Sequence, residues 1–320
     1  PALPKVSMQA PEINAEREFT NQLKDILSAG AGMAEVYNYA FVNAGQLAKL
    51  GIEARSHIKL ANPLTQEHAL LRQSLIPNLL LKVVTNQRQA AEIKIYEIGR
   101  VFLPAAGGVT AGGANKEKLP QQPLKLGLVC AGAAGQEHAN YFRLKGIIEF
   151  LESKLGLKFE FSHSLPAGRR VEITLNNKTA GTIDYYSETS LRGGGVKVSV
   201  AVGEFDVSEL FNAYQKIGVK QYQTKDTFPY VRRDMSFVIN KKILYNDFRQ
   251  ELLAASNLIK EVELFDVYQG AKLGSDKKSW AFTLEFGSDE KTLTGGEVDK
   301  VQAEIAEQME KKFGAKLRAF

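Results

Sequence analysis

Asp266 and Tyr268 stand two residues apart in the run Glu261-Val-Glu-Leu-Phe-Asp-Val-Tyr268. Two residues is the repeat of a strand, so a carboxylate and an aromatic ring point to the same side. A ring and an acceptor side by side suit stacking on a flat base and bonding to its edge. On sequence alone the better reading of Tyr268 is an ordinary surface tyrosine, because a fold alone does not make a site. Other chemistry is sparse. The histidines His57, His68, His138 and His163 are scattered, with no i,i+4 pair and no cysteine partner, so no zinc site is expected. Gly193-Gly194-Gly195 is followed by no Lys-Ser/Thr and reads as a flexible hairpin, not a phosphate loop. Cys130 lies in the apolar run Leu126-Gly-Leu-Val-Cys130 and reads as a buried small hydrophobe. No Ser-His-Asp set can be assembled, so no catalytic residue and no metal ligand is expected.

The elements that must position Asp266 and Tyr268 are legible from Phe228 to Phe320. Asp234–Ile239 reads as a strand, a helix follows Asn246, and two strands follow over Glu261–Tyr268 and Ser279–Phe286. Thr294-Gly-Gly-Glu297 is a capping box. The helix it starts places Val298, Val301, Ile305, Met309 and Phe313 on one side, and Gly314 ends it. Lys316-Leu-Arg318 closes the set as a short strand, giving the βαββαβ order of a ferredoxin-like domain. Alternation sends Trp280, Phe282, Leu284 and Phe286, then Met235, Phe237 and Ile239, then Phe265 and Val267, to the core. Ser236, Ser279, Asp266 and Tyr268 then share the other face. Strict alternation also sends Val262 and Leu264 outward, so a bulge or a neighbouring domain is expected there.

At 320 residues, two or three domains are expected. Residues 1–14 carry three prolines and read as a linker, and 15–211 mix strands and helices as an α+β domain on an antiparallel sheet. Within it, 35–41 reads as one strand and 104–123 as a mobile loop; 212–227 read as a second linker and 228–320 as the last domain. No apolar run is long enough to span a bilayer, no secretory leader is visible, and the cytoplasm is expected. The net charge of +5 lies entirely in residues 1–221; residues 222–320 hold 16 basic and 16 acidic residues. The tail is therefore no basic grip on nucleic acid. Any RNA binding there rests on stacking and shape, with Arg232 and Arg233 as the nearest cationic cluster.

Gly32-Met-Ala-Glu-Val-Tyr-Asn-Tyr-Ala-Phe41, Asn62-Pro-Leu-Thr-Gln-Glu-His-Ala-Leu-Leu-Arg-Gln-Ser-Leu-Ile-Pro-Asn-Leu-Leu80 and Tyr96-Glu-Ile-Gly-Arg-Val-Phe102 occur in that order. Phe228-Pro-Tyr-Val-Arg-Arg-Asp234, Leu264-Phe-Asp-Val-Tyr268, Lys278-Ser279 and Thr292-Leu-Thr294 follow. Together they resemble the β subunit of bacterial phenylalanyl-tRNA synthetase along nearly the whole chain. The resemblance implies a class II synthetase-like, non-catalytic domain followed by a ferredoxin-like anticodon-binding domain. It implies a C-terminal fragment of a longer subunit that packs on a catalytic α subunit in an α2β2 assembly and binds the tRNA for phenylalanine. ATP and magnesium would serve the complete ligase, with no cofactor in this fragment. By motif matching, Tyr268 is expected to stack on an anticodon base, Asp266 to bond beside it, Ser279 and Ser236 to be contact positions, and Arg233 to approach the backbone, although its parity points inward. A dead aminoacylation site is also expected. Class II catalytic domains carry an Arg-x-Glu after such a strand, where Leu103-Pro104-Ala105-Ala106 stands here, and no second phosphate arginine precedes the linker after Gly203-Glu-Phe-Asp206. Without arginines to neutralise phosphoryl charge, amino-acid activation is not expected. Two other readings stand beside this one: a solitary adenylate-forming enzyme of class II type, and a protein-interaction module with no RNA role.

Overall fold

The structure is a computed structural model. It describes residues 12–104, 119–163, 170–218, 228–270, 273, 274 and 276–318. Most of the expected linker 1–14, most of the loop expected at 104–123, and residues 219–227 of the second linker lie outside these. The chain divides into two compact units, Pro1–Lys220 and Gln221–Phe320.

The first unit opens with α1 (Ala15–Asp25), whose N-cap Asn14 accepts a bond from the Arg17 N–H. There follow β1 (Ala34–Glu35), β2 (Phe41–Val42), α2 (Ala44–Lys49), β3 (Leu70–Leu71), α3 (Ile76–Asn86), β4 (Ile93–Arg100), β5 (Leu124–Gly132) and α4 (Glu137–Leu155). Then come β6 (Glu160–His163), β7 (Arg170–Leu175), β8 (Lys178–Tyr186), β9 (Ser199–Asp206) and α5 (Val207–Ile217). Seven strands form one sheet in the order β1-β4-β5-β9-β8-β7-β6, antiparallel except where β1 runs parallel to β4. One face is buried under α1, α4 and α5 through Phe19, Leu23, Leu144, Ile148, Leu151 and Leu210, against Tyr96, Leu126 and Phe205. The other is covered by α3, where Leu79 and Val83, with the N-cap residue Leu75, meet Ile95, Val129 and Val202.

Three expectations are corrected here. The single strand expected over 35–41 is two short ones, β1 and β2, with Tyr37 and Tyr39 exposed between them. Residues 212–217 are the end of α5, held from its start by the Asp206 carboxylate, which accepts from the Ser208 and Glu209 N–H groups. Gly193 and Gly194 form no free hairpin but sit in a tight turn against Lys49 and Leu50, where a Cβ would collide with the Leu50 side chain.

The second unit contains β10 (Val231–Asn240), α6 (Tyr245–Ala254), β11 (Ile259–Tyr268), β12 (Lys277–Phe286), α7 (Gly295–Phe313) and β13 (Lys316–Leu317). The antiparallel order β11-β12-β10-β13 is that of a ferredoxin-like sheet. The capping box forms as read: Thr294 accepts from the Glu297 N–H, and the Glu297 carboxylate accepts from the Thr294 N–H at 2.9 Å. Gly314 ends α7 at φ 62°, in the left-handed region that glycine adopts freely. Val298, Ile305 and Met309 of α7, with Phe248 and Leu252 of α6, cover Met235, Phe237, Trp280, Phe282, Leu284 and Phe286. Each such side chain contributes about 1.5–3 kcal/mol by leaving water.

Candidate nucleic-acid interface

Strand register decides which residues share the face that α6 and α7 leave uncovered. Asp266 lies opposite Ala281, and Ala281 opposite Ser236. Tyr268 lies opposite Ser279, one pleat along. All five therefore share one face, so the structure brings together Tyr268, Asp266, Ser279 and Ser236. The pairing shifts between Leu264 and Asp266, which leaves Phe265 as an extra residue. That bulge reverses parity upstream. Val262 and Leu264 turn inward opposite Leu284 and Phe282, and Val262 is buried. Phe265, expected in the core, is the bulged residue and 51% exposed. Val267 keeps the helix-side parity expected of it, but on an edge strand, where it is 48% exposed.

Arg233 lies opposite Leu284, on the face covered by the helices. Its guanidinium pairs with Asp299 of α7 at 3.4 Å. The structure therefore does not bring Arg233 to the face that carries Tyr268. Arg232 does share that face, and its Nε donates to Glu285 at 2.6 Å.

Ser236 and Ser279 face away from the helices and are nevertheless 4% and 3% exposed, while Tyr268 is 42% exposed. The two serine hydroxyls share a hydrogen bond of 3.1 Å. Two longer side chains from the two edges of the sheet approach each other on this face. The Arg318 N–H donates to the Ser236 carbonyl at 2.8 Å, which continues the β10–β13 ladder and puts Arg318 in the row of Ser236 and Ala281. Tyr268 and Arg318 thus stand three strand spacings apart, about 14 Å of backbone. The Arg318 guanidinium carbon is nonetheless 6.0 Å from the centre of the Tyr268 ring. Both side chains must lean inward over the small residues Ser279, Ala281 and Ser236. Gly270 sets the ring from behind: a Cβ there would collide with the Tyr268 hydroxyl and come within 2.7 Å of its Cζ. Sequence reading missed Arg318 and Gly270. The two-residue alternation of Lys316 and Arg318 was the available signal for the first; nothing local marks the second.

The first unit's sheet has no open polar row of this kind among the described residues. Glu97, Gly127 and Glu204 lie in one row across β4, β5 and β9, on the α3 side. α3 sits directly on this row, where a Cβ on Gly127 would come within 2.7 Å of Leu79 and 3.0 Å of Leu75. The polar groups are spent on the fold. Arg72 pairs with Glu97 at 2.7 Å with both side chains buried, and its Nε donates to the Arg100 carbonyl at 3.0 Å. Asn38 donates to the other Glu97 oxygen at 2.7 Å. Glu204 accepts from the Leu75 N–H at 2.7 Å and the Ser74 hydroxyl at 2.9 Å, holding the start of α3 where an anionic ligand would otherwise bind. Burial raises the Glu204 pKa. Burial likewise pushes the Cys130 thiol up to about 12, which keeps it an unreactive core residue. Among the described residues no three His, Cys, Asp or Glu side chains are grouped to hold a metal ion, and no helix is long and apolar enough to cross a membrane.

The family model described as the phenylalanyl tRNA synthetase beta chain CLM domain matches residues 1–207. The chain belongs to the phenylalanyl-tRNA synthetase β-chain family. The ferredoxin-fold anticodon binding domain matches residues 226–318, the unit that carries Tyr268 and Arg318. The phenylalanine–tRNA ligase β subunit of Dehalococcoides mccartyi (strain CBDB1) is 30% identical over 331 residues, 99% of this chain and 39% of its own length. That of Carboxydothermus hydrogenoformans is 30% identical over 323 residues, 95% and 39% of the two chains, and that of Geobacillus kaustophilus 31% identical over 297 residues, 90% and 36%. The chain thus spans 36–39% of the length of these relatives. Among solved structures, pyrrolysyl-tRNA synthetase from Desulfitobacterium hafniense aligns at TM-score 0.48 and 17% identity, covering 65% of this chain and 74% of its own.

Proposed function

We propose that this chain is the tRNA-holding and scaffolding part of a phenylalanine–tRNA ligase β subunit, itself without aminoacylation chemistry. The observation that carries the reading is one face of one sheet. In a unit matched by the anticodon-binding model, Tyr268 and Asp266 stand in register on the sheet face opposite α6 and α7. A half-exposed ring offers a stacking plane to any base, and a neighbouring carboxylate accepts from base N–H donors. Ser279 and Ser236 supply hydroxyls beneath them. The first unit's role is to pack on a catalytic α subunit in an α2β2 enzyme, which uses ATP and magnesium and works in the cytoplasm.

The test is direct. The purified chain should retard tRNA for phenylalanine at low salt and co-purify with a phenylalanyl-tRNA synthetase α subunit, while showing no pyrophosphate exchange alone. Exchange by the isolated chain would favour an adenylate-forming enzyme instead. The equal numbers of acidic and basic residues after 221 favour a second reading, a protein-interaction module with no RNA role. Capture of α without any retardation of tRNA would support it.

A further inference from the structure

We propose that Arg318 is the phosphate-binding partner of Tyr268, and that in the unliganded chain the two form a lid over the Ser236–Ser279 hydroxyls. The inference rests on the RNA-binding reading above and assigns the polarity of the bound strand: bases toward β11, backbone toward β13. Three observations carry it. The serines are buried on the face that the helices leave uncovered, so something on that face closes over them. Tyr268 and Arg318 come from opposite edges of the sheet and meet, with guanidinium carbon and ring centre 6.0 Å apart. The charges of the face are also divided. Glu261, Glu263 and Asp266 lie toward β11, Asp234 is occupied by the Thr283 hydroxyl at 2.7 Å, and Arg232 is occupied by Glu285. The exposed cations of this face are Lys316 and Arg318 at the β13 edge, and Lys277 at the end of β12, one pleat beyond Ser279.

A polyanion laid across this face with its phosphates over β11 would meet carboxylates. Turned the other way, its phosphates meet Lys316 and Arg318 while its bases reach the ring. A guanidinium suits both states, since it stacks on an aromatic face and forks onto a phosphate. Binding then exchanges one partner for another: a base takes the ring, the guanidinium swings to a phosphate, and the two hydroxyls come within reach. Gly270 is a positioning residue in this scheme, because it leaves the space in which the Tyr268 phenol lies.

The experiment is a salt series of titrations with a hairpin RNA carrying the anticodon loop of phenylalanine tRNA. It compares the wild-type chain, Tyr268→Ala, Arg318→Met, Arg318→Lys and Gly270→Ala, each first shown by circular dichroism and melting to be folded. Arg318→Met should weaken binding roughly tenfold at low salt and flatten the plot of log K against log salt by about 0.7, the signature of one lost phosphate on a single strand. Arg318→Lys should restore the slope. Gly270→Ala should weaken binding severalfold with the slope unchanged, because it moves the ring and no charge. If Arg318→Met binds with wild-type affinity and slope while Tyr268→Ala still weakens binding, the lid and the phosphate assignment are wrong and the stacking reading survives. If Tyr268→Ala has no effect either, both fall.

Discussion

Replacing Arg72 by methionine tests whether the first unit's buried charges are spent on the fold or kept for a ligand. Arg72 is 4% exposed and Glu97 2%. The substitution removes the 2.7 Å bond to Glu97 and the 3.0 Å bond to the Arg100 carbonyl, and leaves Glu97 with Asn38 as its remaining partner at 2.7 Å. Breaking a buried ion pair from one side costs about 3–5 kcal/mol, because the other charge stays in a medium that solvates it poorly. The surviving Asn38 bond puts the expected loss near the low end, about 3 kcal/mol. Removing both charges, as in Arg72→Met with Glu97→Leu, should cost less than Arg72→Met alone. Urea unfolding followed by far-ultraviolet circular dichroism reads the loss. Trp280, the single tryptophan, lies in the second unit, so its fluorescence follows that unit and serves as an internal control. A loss under about 1 kcal/mol, or a gain, would refute the reasoning, since a site that holds an unspent cation gains stability when the cation is removed.

Two further predictions concern pH. Burial raises the Glu204 pKa, so its contribution is fully present below the ordinary carboxylate range and is lost as pH rises through the raised value. Glu204→Gln keeps an acceptor for Ser74 and Leu75 and should therefore stabilise the first unit at neutral pH and flatten its pH profile; Glu204→Ala, which orphans the Leu75 N–H, should cost about 1–3 kcal/mol. A Gln variant less stable than wild type at neutral pH would contradict this. Glu297 shows the opposite sign: its bond to Lys291, then those to the Thr294 N–H and hydroxyl, hold its pKa at about 2 against an ordinary 4.5. Its support of α7 is present above 4.5 and lost as pH falls toward 2. Thr294→Ala should raise that titration in a carboxyl-resolved NMR series and cost about 1 kcal/mol of the second unit's stability; an unmoved titration would show that the capping box is not what holds Glu297.

Local rules made much of the second unit readable. A hydroxyl three residues before a carboxylate announces α7, and alternating Trp280, Phe282, Leu284 and Phe286 announce a strand with one dry face. Alternation failed at Phe265 for a physical reason: one inserted residue reverses parity back to the next register shift, between Ile259 and Glu261, and composition does not reveal which residue is the insertion. What failed elsewhere was non-local. Arg72 and Glu97 are 25 residues apart, and Glu204 caps a helix from 129 residues away, so neither partnership leaves a pattern in the sequence. The same holds for Arg318 and Tyr268, which only the sheet order brings together. Asp266, Tyr268, Ser236 and Ser279 were legible as sharing one face. That the two serines are buried there was not, because burial on a face that α6 and α7 leave open depends on residues that only the sheet order brings near.

The most direct test of the account is a comparison of two unmodified transcripts of phenylalanine tRNA, one with its own anticodon loop and one with the loop bases replaced. Each would be titrated with the wild-type chain and with Tyr268→Ala at one stated low salt. The account predicts tighter binding of the native loop by the wild-type chain, and loss of that preference in Tyr268→Ala at a cost of roughly 1–3 kcal/mol for one stacked base. Equal affinity of the wild-type chain for the two transcripts would contradict it.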